Sequence, residues 1–446
     1  MFIKRSLEVA LRKYLDQQSQ YSNTLLLSGA RQVGKSTLVK ECLTDRTAIM
    51  LNLYEMTTLA RQIDATESFE DFERLMKREL NFVPSQGTVL VFDEAQESKK
   101  IGQWIRFFKE KWEYQKVIVL GSILSNLFEE EVSYPVGRVE ELVLRPFSFK
   151  EYLLAASRQG LIESLDDSEI DKPFFEKEAE SFIKPYLSYL RTGGMPEIAI
   201  EHLQNGNEDI YPMIDKFLGQ YAMDIERHMK EIYKTMFISA MDRIADITCH
   251  PIKNSQIIST NSVSYRKLPK LLEIMEKWHL IHKVVAQTKQ PESSGGIASK
   301  RYLFDVGFVN FFLNHGLPVE WVKRSGSGNI VFGKLQENFV CNELIAMKPA
   351  STTMFNYYKE TKNSREIDFI VALKNTAIPI EVKSQASISR NSLMPMISFL
   401  EQNGLKVGIL IYNGKIGSIK IKGKKIYTIP AFYVGELENK IEQMLI

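Results

Sequence analysis

Cysteine is scarce. Cys42, Cys249 and Cys341 are the only three in 446 residues, and they lie far apart with no metal-ligand spacing. That excludes a disulfide scaffold and a zinc site, and predicts small core residues in a reducing cytosol. Long hydrophobic runs are missing too: none approaches about 18 residues, so no membrane span is expected. The start, Met1-Phe-Ile-Lys-Arg-Ser, is charged and amphipathic, which does not read as a signal peptide. Charge of one sign is not in excess, with a formal net charge of +2. Such a chain is not globally dedicated to nucleic acid or anionic lipid, although local basic patches remain open. There is no low-complexity tract and no internal repeat. Histidine is sparse, and His228, His279 and His282 read as half-buried structural side chains. The 44% hydrophobic content is enough for several cores, about two to four domains.

What is present begins with Gly29-Ala30-Arg31-Gln32-Val33-Gly34-Lys35-Ser36-Thr37. It follows an apolar run, Thr24–Leu27, and leads into a helical stretch, Ser36–Leu43. Two glycines let the backbone wrap around a phosphate with its N–H groups inward, and the helix N-terminus adds partial positive charge. Lys35 is expected to reach the β- and γ-phosphates and Ser36 to offer a hydroxyl to Mg²⁺. The segment predicts a nucleoside triphosphate site.

A second strand is expected at Ala48–Leu53, then a charged helix around Ser68–Leu80 and a turn at Pro84 and Gly87. The apolar run Thr88–Phe92 ends in Asp93 and Glu94. Asp93 is expected to hold Mg²⁺ through water and Glu94 to polarise the attacking water as general base. Ile101, Trp104, Ile105, Phe108 and Trp112 form one helical face, read as core. Another strand, Lys116–Leu120, leads to Ser122, placed either to sense the γ-phosphate or to cap a helix. Arg138 precedes the strand Val139–Leu144. It either neutralises transition-state charge, in cis or from a neighbouring subunit, or makes a surface ion pair. The alternation predicts an α/β fold with a mostly parallel sheet, helices on both faces, and ligands at its carboxyl edge.

From Phe147 to about Met241 the pattern is helical, broken by Gly193-Gly194-Met195-Pro196, which reads as a helix-helix corner. Next come a short helix near Asn254–Ile258, a capping turn at Thr260–Ser262 and a helix bearing Leu268, Leu271, Leu272 and Met275. Strand residues, a hairpin tip at Ser293–Gly296 and the strand Arg301–Phe304 follow. That is the order of a winged helix. Lys267, Lys270, Lys289, Lys300 and Arg301 then either touch DNA or form the solvated basic face of a docking module.

Ser325–Gly328 reads as a linker, and a helix starts at Lys334 and carries Glu337. Ile367–Leu373 and Ile378–Lys383 are expected to pair as a hairpin about Lys374 and Asn375, which brings Asp368 opposite Glu381. Opposed carboxylates repel, and a divalent cation between them removes the penalty. Lys383 projects from the same face as Glu381 and is placed to position a metal-bound water. Few carboxylates with several waters suit Mg²⁺ or Mn²⁺ and phosphodiester hydrolysis. Lys415, Lys420, Lys422, Lys424 and Lys425 follow, either for phosphate contact or to keep an edge hairpin soluble.

The order of GARQVGKST, VLVFDEAQ, LGSILSNLF, VGRVEELVLRPFSFKEYL, YLRTGGMPE, KRYLFDVGF and REIDFIV…IPIEVKS resembles a prokaryotic family of AAA+-type P-loop ATPases. These carry a C-terminal domain of unknown function related to the restriction-endonuclease-like, or PD-(D/E)XK, fold. The resemblance covers nearly the whole chain. It implies that Gly34, Lys35 and Ser36 bind nucleotide, that Asp93 and Glu94 serve hydrolysis and that Ser122 is a sensor. It also implies that Glu337, Asp368, Glu381 and Lys383 occupy nuclease-core positions. One departure is Val306, where the family usually has a small hydroxyl residue. The expected layout is an ATPase domain over 1–150, a helical lid over 151–241, a winged helix over 242–324 and a nuclease-like domain over 325–446. The expected activity is ATP hydrolysis in the cytoplasm by a protein that engages DNA, with a candidate metal-dependent nuclease at the C-terminus. The alternative is an ATP-driven switch or scaffold whose nuclease-like domain only binds. Oligomeric state stays open.

Overall fold

The computed structural model describes residues 2–85, 87–128, 134–170, 176–207, 209–229, 231–258, 263–288, 298–313, 330–348, 355–359, 366–374 and 376–445. The expected turn at Thr260–Ser262, the hairpin tip at Ser293–Gly296, Lys289, the Ser325–Gly328 linker and Asn375 lie outside them. The chain divides into two compact units, one of Met1–Arg145 with a short piece at Lys277–His279, and one of nearly all the rest.

In the first unit, β1 (Thr24–Ser28), β2 (Thr47–Asn52), β3 (Thr88–Asp93), β4 (Lys116–Leu120) and β5 (Val139–Val143) form one sheet in the order β2-β3-β4-β1-β5. Every pairing is parallel. The central strands are apolar throughout because helices cover both faces, leaving no solvent side to alternate toward. Ser68 caps the helix Phe69–Leu80 reciprocally with Asp71, which fixes where that helix starts. One face of it packs on the helix Ile101–Lys111 through Phe69, Phe72, Trp104 and Phe108, with Phe92 beneath and Trp112 at the end. The helical stripe read as core is core.

The second unit starts with helices, among them Phe149–Ala155, Glu176–Thr192, Pro196–Asn205, Tyr211–His228 and Glu231–Ile247. A short helix, Asn254–Ile257, and a long one, Val263–Lys277, precede an antiparallel pair, β6 (Ile281–Val284) with β8 (Lys300–Leu303). A larger mixed sheet contains β7 (Ala286–Gln287), β9 (Phe355–Lys359), β10 (Glu366–Leu373), β11 (Thr376–Lys383), β12 (Val407–Tyr412), β13 (Gly417–Ile421) and β14 (Lys424–Ile429). Its order is β13-β14-β12-β11-β10-β9-β7. The β10–β11 hairpin has the register expected from the sequence, Leu373↔Thr376 through Phe369↔Ile380, so Asp368 and Glu381 come next. The helix Ile330–Ala346 buries polar side chains along with apolar ones, including Gln336, Glu337, Asn338 and Glu343. Buried polar groups need partners, and these locate a second candidate site.

Candidate functional site

The phosphate loop joins β1 to the helix Lys35–Cys42, at the carboxyl edge of the first sheet. Gly29 and Gly34 have φ of +146° and +96°. A Cβ on Gly29 would run into the Leu144 carbonyl, whereas a Cβ on Gly34 would project into space bounded only by Arg5 at 3.8 Å. Lys35 is buried, and its Nζ donates to the carbonyls of Gly29 and Ala30, both at 2.9 Å. Burial lowers its pKa to about 8, a shift opposed by Glu94 and Asp93. The same two acids therefore lie within electrostatic reach of the lysine. Arg5 braces the loop from outside, donating to the carbonyls of Val33 at 2.9 Å and Arg145 at 2.6 Å.

Asp93 closes β3, is 5% exposed, and accepts the Glu94 N–H at 2.9 Å. Glu94 has φ of 50°, a left-handed conformation that a non-glycine residue holds only when its surroundings enforce it. Gln96 donates to its carboxylate at 2.5 Å. Ser122 follows β4, which lies between β1 and β3, so its buried hydroxyl stands between the phosphate loop and the acid pair. The hard oxygens of Ser36 and Asp93 suit Mg²⁺.

Arg138 does not join them. It directly precedes β5, level with Thr24 at the start of β1, and pairs with Glu110 at 2.7 Å. Five residues of strand, about 16 Å, separate that amino edge from the phosphate loop. The expectation of a role in cis is overturned by this topology; the surface ion pair is what Arg138 makes.

In the second unit, Glu337, Asp368, Glu381 and Lys383 come together. Asp368 accepts the Val382 N–H at 2.9 Å, and Lys383 lies 2.5 Å from Glu381 and 4.0 Å from Asp368. Lys300, expected on a DNA-facing wing, is 0% exposed with its Nζ inside the cluster. It lies 3.0 Å from Asp368, 3.0 Å from Glu366 and 3.2 Å from Glu337. Arg301, at 7% exposure, faces Glu276 at 3.8 Å. Neither can reach a phosphate backbone, so that expectation fails for both residues. Tyr302, two along β8 and on the same face as Lys300, donates to Glu337 at 2.7 Å.

Burial raises Glu337 and Glu381, each pushed further by Asp368. Burial also works against ionised Asp368, but Lys300 and Lys383 outweigh it and the pKa falls. Lys300 is raised well above its ordinary value because its carboxylates overcome the cost of burial. The metal-binding expectation for Asp368 and Glu381 thus meets two ammonium groups, Lys300 on Asp368 and Lys383 on Glu381. Among the described residues no group of three or more His, Cys, Asp or Glu is arranged to hold a metal.

The sequence reading missed Arg5, Gln96, Glu366 and the inward Lys300. Glu366 was discoverable, because it stands two residues before Asp368 on one strand. Lys300 shared the same two-residue spacing with Tyr302. Arg5 carried no signal, since nothing local marks it as reaching the loop.

Residues 21–153 match the AAA domain family. Residues 183–317 and 332–432 match two domains of unknown function, DUF8612 and DUF4143. The first unit carries an AAA-type P-loop ATPase domain. That implies nucleotide binding, typically with Mg²⁺. An uncharacterized protein of Haemophilus influenzae is 22% identical over 390 residues, covering 84% of this chain and 86% of the relative. A Walker-type ATPase of Pyrococcus abyssi is 18% identical, covers 70% of this chain and 96% of its own, and has a TM-score of 0.42. The replication initiator DnaA bound to AMPPCP and single-stranded DNA is 12% identical, covers 62% and 90%, and has a TM-score of 0.30. Among the described residues no helix is long and apolar enough to cross a membrane.

Proposed function

We propose that the chain is an ATP-hydrolysing switch whose C-terminal half is a restriction-endonuclease-like module that binds rather than cuts. The observation that carries the ATPase half is the glycine cradle with buried Lys35 inside it and the Asp93–Glu94 pair acting on that lysine. Loop N–H groups and Lys35 hold the triphosphate, while Ser36 and Asp93 would hold Mg²⁺. Glu94, fixed by its backbone conformation and by Gln96, orients the attacking water and takes its proton. Ser122, just past the carboxyl end of β4 beside β1, would sense the γ-phosphate. Purified protein is expected to release phosphate from ATP with Mg²⁺. Lys35→Ala should cut the rate by about 100-fold or more. Glu94→Gln should bind ATP but hydrolyse it about 100-fold or more slowly. Well-folded protein that gives no heat of ATP binding in calorimetry would overturn the reading.

The non-cutting half rests on Lys300, whose ammonium stands among Glu337, Glu366 and Asp368. DNA remains the partner favoured by the exposed Lys415 and Lys420 near and on the β13 edge, which suit phosphate contact. The helix-turn-helix order ahead of β6 and β8, read as a winged helix, would add a second contact. DNA-stimulated ATPase that falls steeply with salt, with no nicking in Mg²⁺ or Mn²⁺, is the expected result. Nicking lost in Asp368→Ala would restore the nuclease.

A further inference from the structure

We infer that Lys300 is a resident cation: its ammonium stands where a divalent ion would bind between Asp368 and its neighbouring acids, and closes that site to metal. The inference rests on the non-cutting reading of the C-terminal module and is independent of ATP hydrolysis.

An ammonium has three N–H donors. Lys300 Nζ has one oxygen from each of three carboxylates within 3.2 Å, on Asp368, Glu366 and Glu337. Donor number and acceptor number match. Mg²⁺ or Mn²⁺ at such a site needs oxygens at about 2.0–2.1 Å and keeps several waters. Here the side chain is 0% exposed, so the volume for ion and waters is taken. Both oxygens of Asp368 are already engaged. One faces Lys300, and the other accepts the Val382 N–H with Lys383 at 4.0 Å.

The lysine is also anchored. Asn338 bonds both the N–H and the carbonyl of Leu303, each at 3.0 Å, and Asn342 donates to the same carbonyl at 3.1 Å. Upstream of β8, Tyr357 donates to the Ala298 carbonyl at 2.5 Å. The strand that delivers Lys300 is therefore tied on both sides of it. Removing the ammonium would leave the carboxylates of Asp368, Glu366 and Glu337 facing the space it filled, where they would have to draw together to hold a divalent cation.

The test is Mn²⁺ binding to nucleotide-free full-length protein, followed by loss of the free-ion paramagnetic resonance signal. Wild type and Asp368→Asn should bind the same number of ions, any uptake at the ATPase site being common to both. Lys300→Ala should bind one more ion per chain, and Lys300→Ala/Asp368→Asn should lose it again. Wild type that binds one ion more than Asp368→Asn would overturn the inference. So would a folded Lys300→Ala chain that takes up no additional ion. Should Lys300→Ala fail to fold, wild type against Glu381→Gln decides alone: equal uptake supports the inference and a deficit in the variant overturns it. A DNA-nicking assay on the same samples separates the two claims. Wild type that takes up no ion at the cluster yet nicks DNA would end the non-cutting reading and leave Lys300 in its role.

Discussion

Asp305 accepts the Gly194 N–H at 2.7 Å through one carboxylate oxygen and the Gly307 N–H at 2.8 Å through the other. Two segments far apart in the chain are tied by one buried acid. The neighbouring Gly193 has φ of +72°, and a Cβ there would overlap that carboxylate. Gly193→Ala is expected to cost about 2–5 kcal/mol, from an unfavourable left-handed backbone of about 1–2 and overpacking of about 1–3. Urea unfolding measures it, and a cost below about 0.5 kcal/mol would mean the carboxylate is not packed against that glycine.

The same acid sets a pH dependence. Burial pushes Asp305 up to about 6, against the pull of its N–H donors. The native state therefore holds a proton that the unfolded state, with an ordinary aspartate near 3.9, has released. Its contribution to stability is greatest below about pH 4 and falls as pH rises to about 6, by roughly 3 kcal/mol in total. Asp305→Asn should flatten that part of the profile, seen as a smaller shift in urea midpoint between pH 4 and pH 7 than wild type gives.

Lys300→Met should be more damaging than Lys383→Met. The first strands three carboxylates without their buried counter-ion, a loss of about 3–5 kcal/mol. The second removes a partner that is itself 34% exposed, and the buried Glu381 it leaves, already raised by burial, can take up a proton instead, so the loss should be about 1–3 kcal/mol. Thermal melts of the two variants side by side give the comparison, and equal effects would contradict the burial difference.

Arg138→Ala should leave ATP turnover by the monomer within about twofold of wild type, since a surface pair with Glu110 contributes little. A loss of tenfold or more that appears only as protein concentration rises would reveal an arginine supplied to a neighbouring copy.

The nucleotide site was legible in the sequence because its chemistry is local. Gly29 to Ser36 is one continuous stretch, and Asp93–Glu94 close an apolar run whose burial is self-evident. The β10–β11 register was legible for a similar reason, as the spacing of Asp368 and Glu381 about the turn fixes it. Lys300 was not. A lysine beside an arginine near a hairpin reads as solvated, and only the three acids gathered from a helix and one strand reverse that. Arg138 failed on topology, because proximity in sequence to an apolar strand does not reveal which edge of the sheet it marks. The Gly193–Gly194 corner was read as a turn, while its demand for glycine comes from Asp305 at Gly193 and from the Phe147 carbonyl at Gly194, both remote in sequence.

The grip of Arg5 on the Val33 carbonyl makes the shape of the phosphate loop depend on a residue well outside the glycine motif. Replacing Arg5 would remove a brace that nothing in the glycine motif itself supplies. Weakened ATP affinity in an Arg5 variant would then report a change in loop shape rather than a lost contact with the nucleotide.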